Sequence, residues 1–158
     1  MPFEKEDTIR DATKNDVGRF FRKASNKDCN GIEPAFVNCE RLDDCDGFFV
    51  AEYASEVIGA VATSSKGMDG SALPTIANLY VLLDFTRKGV GYRLLVTAMR
   101  RLLASGTPKV FCKAITPGML RTIEKLPPDL KECLEYTVDR QAGAWNYQKW
   151  QEFQKQRR

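Results

Sequence analysis

Two glycines separated by one residue stand between an apolar run and an amphipathic segment in "LYVLLDFTRKGVGYRLLVTAMRRL", residues 79–102. Gly89 and Gly91 have no side chain at the point where a helix should begin, and Arg87 and Lys88 precede them. A helix N-terminus exposes free backbone N–H groups and the positive end of the helix dipole. The stretch therefore predicts an anion site, above all for a phosphate, built from backbone N–H groups and supplemented by basic side chains.

This anion site needs a strand before it and a helix after it, and the sequence predicts both. Leu79–Leu83 is apolar and dense enough for a strand buried on both faces, within a longer strand at 75–84. Residues 90–104 place apolar side chains on one face of a helix. The other predicted elements are a strand at 7–13, a helix at 14–25 capped by Asn15 or Asp16, a loop or short helix at 26–46, a hairpin of strands 47–53 and 56–65, a strand at 109–116, a helix at 117–126 ended by Pro127–Pro128, and one or two strands at 130–140. This order predicts an α/β fold with a mostly antiparallel mixed sheet flanked by helices.

The length, composition and net charge of the chain limit the number of domains and the classes of partner. The chain has 158 residues, which favours a single domain, and 43% of them are hydrophobic, enough for a packed core. The net charge of +3 is too small to indicate a nucleic-acid protein. We divide the chain into a domain at 1–140 and a basic aromatic tail at 141–158, where Tyr147, Trp150 and Phe153 follow one side of a predicted helix. That helix is expected to pack on its own domain or to bind a second copy or an assembly partner; nucleic acid is the less favoured partner.

Several kinds of chemistry are excluded. The chain has no histidine, which removes Ser-His and Cys-His nucleophiles and His-ligated metals. Five cysteines without a CxxC pair indicate neither a disulfide framework nor a zinc site, so no metal is expected. Cys112 and Cys133 lie in predicted strands and are expected to be buried hydrophobes, not acyl carriers. No segment reads as a signal peptide or a membrane span, which predicts a cytoplasmic protein in a reducing compartment without a membrane partner.

The segment "YVLLDFTRKGVG", residues 80–91, resembles the signature of the GNAT superfamily of acyl-CoA N-acyltransferases, in which a strand, the pattern Q/R-x-x-G-x-G/A and a helix follow one another. The order of elements over residues 7–140 and the segment "IRDATKNDV" are similar to the family as well. Thr86 stands where the pattern has Gln or Arg, and Arg87 follows one residue later. The alternatives are a glycine-capped βα turn of another α/β protein and the Rossmann pattern; the latter fails because Leu94 occupies its third glycine position.

The resemblance implies a site for coenzyme A, with acetyl-CoA as co-substrate, and acetyl transfer to a small-molecule or protein amine. The backbone of Arg87–Gly91 would hold the pyrophosphate. Backbone groups of Val81 and Leu83 would pair with the pantetheine arm, and the Val81 N–H would polarise the thioester carbonyl. The cofactor-binding residues implied in this way are Val81, Leu83, Arg87, Lys88, Gly89, Val90 and Gly91.

The acid and base that the family supplies are not found at their usual positions. Its tyrosine acid falls on Ile123, and Phe111 stands where some relatives have glutamate. The strand positions expected to face the substrate, Thr75, Ala77 and Leu79, include no carboxylate. Catalytic residues are therefore unknown.

Three side chains are weak catalytic candidates: Tyr136, Glu52 and Thr116. Each also has a structural reading, as a strand residue, a solvent-facing hairpin residue and the N-cap of the helix at Pro117. Two functions stay open: an N-acetyltransferase whose proton transfers use water or unassigned groups, and a catalytically weak or inactive GNAT-like protein serving as a binding, assembly or virion component. The segment "GIEPAF", residues 31–36, resembles part of acetyltransferase-like internal virion proteins of short-tailed phages, which implies the virion role.

Overall fold

The computed structural model describes residues 7–29, 39–114 and 116–140. Six strands form one sheet in the order β1-β2-β3-β4-β5-β6; the first three neighbouring pairs are antiparallel and the last two are parallel. This is the predicted α/β mixed sheet flanked by helices. The elements are β1 (Asp7–Asp11), α1 (Lys14–Asp28), the 3₁₀ helix η1 (Cys39–Asp44), β2 (Gly47–Tyr53), β3 (Glu56–Ser64), β4 (Thr75–Val81), the 3₁₀ helix η2 (Leu83–Phe85), α2 (Val90–Ala104), β5 (Val110–Ala114), α3 (Pro117–Glu124), α4 (Pro128–Glu132) and β6 (Leu134–Val138).

Each face of the sheet is covered by helices. On one face, α1 packs Val17, Phe20 and Phe21 against strand residues that include Val50 and Tyr80. On the opposite face, helices α2, α3 and α4 cover a larger cluster, whose strand members include Phe49, Ile58, Val61, Ile76 and Val81. Burying one such large apolar side chain contributes about 1.5–3 kcal/mol. The two clusters therefore hold β4, the central strand, from both sides.

Helix α1 begins differently from the prediction. Its N-cap is Thr13, not Asn15 or Asp16; the Thr13 hydroxyl accepts from the Asp16 N–H, and the Asp16 carboxylate accepts from the Thr13 N–H, each at 3.2 Å. The Thr13 backbone N–H, together with Arg19 and the Thr13 hydroxyl, lowers the pKa of Asp16. This reciprocal pair is a capping box, in which the acidic residue lies three positions inside the helix.

The hairpin prediction is confirmed. Ala54 and Ser55 have φ values of 50° and 67°, and Tyr53 pairs with Glu56. Two central residues with positive φ form a type I′ turn, whose twist matches that of the flanking strands.

The segment at 130–140 is half helical. Pro128 does not follow the end of a helix but begins α4, and Pro127 caps it with an extended backbone, the conformation that a following proline favours. Cys133 is the C-cap residue of α4 and not a strand residue, so that prediction was wrong. A single strand, β6, follows.

Two predictions lie outside the described residues: the resemblance at 31–36 and the aromatic helix at 141–158. Among the helices of the described part, none is long and apolar enough to cross a membrane.

Candidate functional site

Strands β4 and β5 pair over only two residues. Their register joins Thr75 to Phe111 and Ile76 to Cys112 and then stops, although β4 continues to Val81. Strand β5 meanwhile stays paired with β6 as far as Ala114. The two parallel strands therefore diverge after Ile76 and leave a gap between them, which we call the β4–β5 gap.

The backbone of β4 changes which residues face this gap. The Phe111 N–H donates to the Pro74 carbonyl oxygen at 2.8 Å, so the backbone N–H and C=O groups of even-numbered residues point towards β5 at the start of the strand. The Leu82 N–H donates to the Ile58 carbonyl oxygen at 2.9 Å, so the backbone groups of even-numbered residues point towards β3 at its end. Because neighbouring residues of a strand point their backbone groups to opposite sides, Leu79 and Val81 direct theirs into the β4–β5 gap.

A one-residue bulge causes this change. On the β3 side, Ala62 pairs with Asn78 but Thr63 pairs with Ile76, so Ala77 is one residue in excess on β4. The bulge lies directly after the last β4–β5 pair. The bulge also changes which face of the sheet each side chain lies on. Regular alternation would put Ile76 and Tyr80 on the same face, but Ile76 shares its core cluster with Val81, and Tyr80 belongs to the cluster on the opposite face.

The predicted anion site lies beside the gap. Gly89 is the N-cap of α2, with φ 82° and no side-chain cap, and its carbonyl oxygen accepts from the Arg93 N–H at 3.0 Å. Arg87 is also left-handed, with φ 64°, a conformation that costs a non-glycine residue roughly 1–2 kcal/mol. A Cβ atom on Gly91 would lie 3.6 Å from Val81 Cγ2 and 3.7 Å from Leu79 Cδ2. The first turn of α2 therefore rests on the strand residues that border the gap.

Asp28, the last residue of α1, is a site residue that sequence reasoning missed. Its Oδ2 accepts from the Leu83 N–H at 3.0 Å and from the Tyr80 hydroxyl at 3.1 Å. Burial raises the pKa of Asp28, and these two donors oppose the rise. The available signal was its position, because Asp28 continues the helical stripe of Val17, Phe21 and Ala24, where a carboxylate needs partners.

Leu83, which the resemblance places among the cofactor-binding residues, has both of its backbone polar groups hydrogen-bonded within the protein. Its N–H is engaged by Asp28, and its carbonyl oxygen accepts from the N–H and hydroxyl of Thr86 at 3.3 Å and 2.8 Å. Leu83 belongs to η2 and not to the strand edge. Leu79 and Val81 are the residues whose backbone borders the gap.

Arg41 of η1 is the second missed residue. Its guanidinium donates to Asp69 at 2.8 and 2.9 Å, to Asn78 Oδ1 at 3.0 Å and to the Ala77 carbonyl oxygen at 3.2 Å. The hydrogen bonds from Arg41 lower the pKa of Asp69, and Asp69 in turn raises the pKa of Arg41. Both side chains line a cavity of about 670 Å³ together with Asp43, Asp44, Asp46 and Lys66. A lone arginine in a loop gives no sequence signal for such a role.

Of the three weak catalytic candidates, one is exposed on the last strand and two have structural partners. Tyr136 is 41% exposed on β6, opposite Cys112. Glu52 on β2 binds Arg10 of β1. The Thr116 hydroxyl caps α3 by accepting from the Met119 N–H at 3.0 Å. The structure does not bring these three side chains together at the β4–β5 gap.

Ile123 at the expected acid position and the strand residues expected to face the substrate have structural roles. Ile123 is 1% exposed within the core cluster, so its side chain is packed among other apolar side chains. The Thr75 hydroxyl closes the preceding loop, accepting from the Met68 N–H at 3.0 Å and donating to the Leu73 carbonyl at 2.9 Å. The Leu79 side chain packs against the same cluster as Ile123. Neither Thr75 nor Leu79 is therefore a substrate-facing side chain.

Two further residues of β5 keep the roles that the sequence suggested. Cys112 is buried, and burial raises its pKa to about 12, which keeps the thiol protonated and a poor nucleophile. Phe111 is buried with 9% exposure and carries no acid–base group.

Solved structures share this fold. An aminoglycoside acetyltransferase from an uncultured soil metagenomic sample, in complex with sisomicin, is 19% identical with a TM-score of 0.52 over 71% of this chain and 80% of that one. The ribosomal-protein-S18-alanine N-acetyltransferase of Escherichia coli is 15% identical with a TM-score of 0.55 over 75% and 74%. A GNAT family acetyltransferase of Brucella melitensis in complex with acetyl-CoA is 18% identical with a TM-score of 0.49 over 66% and 73%. At identities this low, the first two structures show the fold alone. No curated protein sequence matches the chain.

The family model for the acetyltransferase (GNAT) family matches residues 11–124, which include α1, strands β2 to β5, the glycine turn and all of α2. That match covers well over half of the chain and agrees with the divergent strands and the uncapped helix N-terminus. This chain therefore belongs to the GNAT acetyltransferase family, whose fold binds coenzyme A and an acceptor substrate.

Proposed function

We propose that this protein is an N-acetyltransferase that uses acetyl-CoA and transfers its acetyl group to an amine. One observation carries the proposal: the β4–β5 gap opens directly beside the N-terminus of α2, where a Cβ atom on Gly91 would lie within 3.7 Å of the side chains of Leu79 and Val81. Coenzyme A combines a pyrophosphate with an extended arm that contains two amides. The described residues offer a place for each part, side by side.

The pyrophosphate fits the turn at 87–91. A ligand phosphate is favoured there because the first N–H groups of α2 have no side-chain cap and lie at the positive end of a 15-residue helix. Gly89 has no protein atom within 4 Å of where its Cβ would stand, so the approach to the backbone is open. Arg87 and Lys88 are exposed and add positive charge.

The pantetheine arm fits the open edge of β4. Its amides would pair with the backbone of Leu79 and Val81, as an added strand does on a sheet edge. The N–H groups at this edge are fixed by the sheet, so they are oriented before the reaction towards an oxygen that gains charge. When bound, acetyl-CoA supplies the activated thioester.

Proton transfer must rely on few protein groups. Strands β4 and β5 contain no carboxylate and no imidazole, and the position expected for a tyrosine acid holds the buried Ile123. In the transfer, the amine nitrogen bonds to the acetyl carbon, the carbon–sulfur bond breaks, and the nitrogen loses a proton while the thiolate gains one. Water must therefore accept the proton from the amine nitrogen and supply the proton to the thiolate. General acid–base catalysis contributes about a hundredfold or more, so turnover should be slow.

The decisive experiment measures acetyl-CoA binding by calorimetry. Gly89→Glu places a carboxylate at the pyrophosphate and should weaken binding by more than about tenfold, which corresponds to 1.4 kcal/mol. Gly106→Glu is the matched control, because Gly106 is also left-handed and open but follows the other end of α2. If the unmodified protein binds no acetyl-CoA, or if both variants bind equally well, the proposal is wrong.

A second candidate function is coenzyme A binding without turnover, as an assembly or virion component. It is favoured by the burial of Ile123 and by the structural partners of Glu52 and Thr116. Thiol release separates the two functions. Release that depends on an added amine, small molecule or protein, supports the transferase, whereas tight binding with no release over hours supports the second function.

A further inference from the structure

The bulge at Ala77 decides which backbone groups border the β4–β5 gap. Without the extra residue, the even-numbered pattern set by Pro74 would continue, and Leu79 and Val81 would direct their N–H groups towards β3. A bulge leaves the extra residue without its regular ladder partner, so its backbone needs another one. The Ala77 carbonyl oxygen finds this partner in Arg41 Nη2 at 3.2 Å.

Arg41 also binds the next residue of the strand. Its Nε donates to Oδ1 of Asn78, whose side chain is only 4% exposed. One guanidinium therefore contacts both the extra residue of β4, Ala77, and the residue that follows it, Asn78. Its planar fork of donors suits this task, because a lysine ammonium on a flexible stem does not hold several acceptors in one plane.

Asp69 fixes the guanidinium in place. The pair is bidentate, at 2.8 and 2.9 Å, and the exposed fractions of the two side chains are 28% for Arg41 and 10% for Asp69. Asp69 has φ 59°, a left-handed conformation that the loop between β3 and β4 maintains. That loop is closed onto the strand by the hydrogen bond between the Met68 N–H and the Thr75 hydroxyl. The ion pair thus ties η1, the loop and the bulge together.

We propose that Arg41, held by Asp69, is a positioning residue that sets the acyl-binding edge of β4. It acts by holding the carbonyl of Ala77 out of the regular ladder, so that Leu79 and Val81 face the gap. This inference rests on the proposed function, since it concerns the strand edge to which the arm of coenzyme A would bind. Arg41 itself lies on the side of β4 that faces the α1 layer and does not need to touch the acyl group.

The test compares two ligands on the full chain by calorimetry. Acetyl-CoA has both the pyrophosphate and the arm, whereas 3′-phospho-ADP has the nucleotide and pyrophosphate without the arm. Arg41→Met keeps much of the stem but none of the donors. It should raise the Kd of acetyl-CoA by about tenfold or more and change the Kd of 3′-phospho-ADP by less than about twofold.

Two further variants keep the test interpretable. Arg41→Lys retains the positive charge beside Asp69, and it should show a smaller loss with the same selectivity for acetyl-CoA. Lys14→Met is the matched control, because it removes another ion pair of η1, the exposed one between Lys14 and Asp43. It should leave both Kd values unchanged.

The outcomes distinguish this inference from the proposed function. If the unmodified protein binds acetyl-CoA and both Arg41 variants bind it equally well, the positioning role is overturned and the proposed function stands. Equal losses for the two ligands would also overturn it, since they would indicate a general loss of structure. Failure of the unmodified protein to bind acetyl-CoA overturns both.

Discussion

The carboxylate of Asp28 accepts a hydrogen bond from the backbone N–H of Leu83 at 3.0 Å, which ties the end of α1 to the first residue of η2. The same oxygen accepts from the hydroxyl of Tyr80 at 3.1 Å. Helix η2 leads from β4 into the glycine turn before α2. A single buried carboxylate therefore holds the end of β4 and the start of the predicted pyrophosphate loop.

Removing the Asp28 carboxylate should destabilise the protein. Asp28→Ala leaves the Leu83 N–H and the Tyr80 hydroxyl without this acceptor, which costs about 1–3 kcal/mol of unfolding free energy. Asp28→Asn keeps an acceptor oxygen and should cost far less at neutral pH. Urea denaturation measures both variants, and equal stability of Asp28→Ala and the unmodified protein would contradict this role.

The pH dependence of stability should reveal the same carboxylate. Burial raises the pKa of Asp28 in the folded state above its ordinary value of 3.8, so the folded protein binds this proton more tightly than the unfolded chain. The ionised group therefore costs stability at neutral pH, and this cost is relieved as the pH falls through the raised pKa towards 3.8. Asp28→Asn lacks this relief. Relative to the unmodified protein, Asp28→Asn should therefore become less stable as the pH falls from neutral to about pH 4. A stability difference that stays constant over this range would count against the raised pKa.

Amide hydrogen exchange should alternate along the end of β4. The Leu82 N–H is bonded to Ile58 and should exchange slowly, whereas the N–H groups of Leu79 and Val81 face the gap and should exchange faster. Adding acetyl-CoA should slow the exchange of Leu79 and Val81 and leave Leu82 unchanged. NMR-detected exchange with and without the ligand checks this. Slow exchange at all three residues in the free protein would show that the edge is already paired.

A tyrosine at position 123 should not restore an acid. Because Ile123 is 1% exposed within the core, Ile123→Tyr adds volume to a packed region and should cost about 1–3 kcal/mol of stability, with no gain in thiol release. Ile123→Val is the control for mild loss of packing, at about 0.5–1.5 kcal/mol. Faster thiol release by a well-folded Ile123→Tyr would mean that this position reaches the gap after all.

The tail at 141–158 lies outside the described residues, and its role stays a prediction. Removing residues 144–158 should convert an oligomer into a monomer if the stripe of Tyr147, Trp150 and Phe153 binds a second copy. Solution mass by light scattering and thermal unfolding measure the effect. A monomer before and after removal, with a large loss of stability, would instead show that the helix packs on its own domain.

Local features of the sequence were enough to predict much of the fold and the glycine turn before α2. The helix at 90–104 was predicted with its observed bounds, because its apolar spacing repeats over four turns. The hairpin followed from two apolar runs separated by two residues, and the glycine turn from residues whose backbone conformation only glycine adopts readily, as the φ of 82° at Gly89 shows. In each case the determining information lies within a few neighbouring residues.

Tertiary structure alone decided how the candidate site is built. Asp28 and Leu83 are 55 positions apart in the chain, and Arg41 and Asp69 are 28 apart, so no local pattern connects them. The register shift at Ala77 likewise depends on β3 as well as on β4, and it places Thr75 and Leu79 on opposite faces of the sheet, although simple alternation gave them the same face. The physical reason is that hydrophobic periodicity determines which face of an element is buried, whereas a bulge and its polar partners are determined by which strand and loop groups remain unpaired once the sheet has assembled.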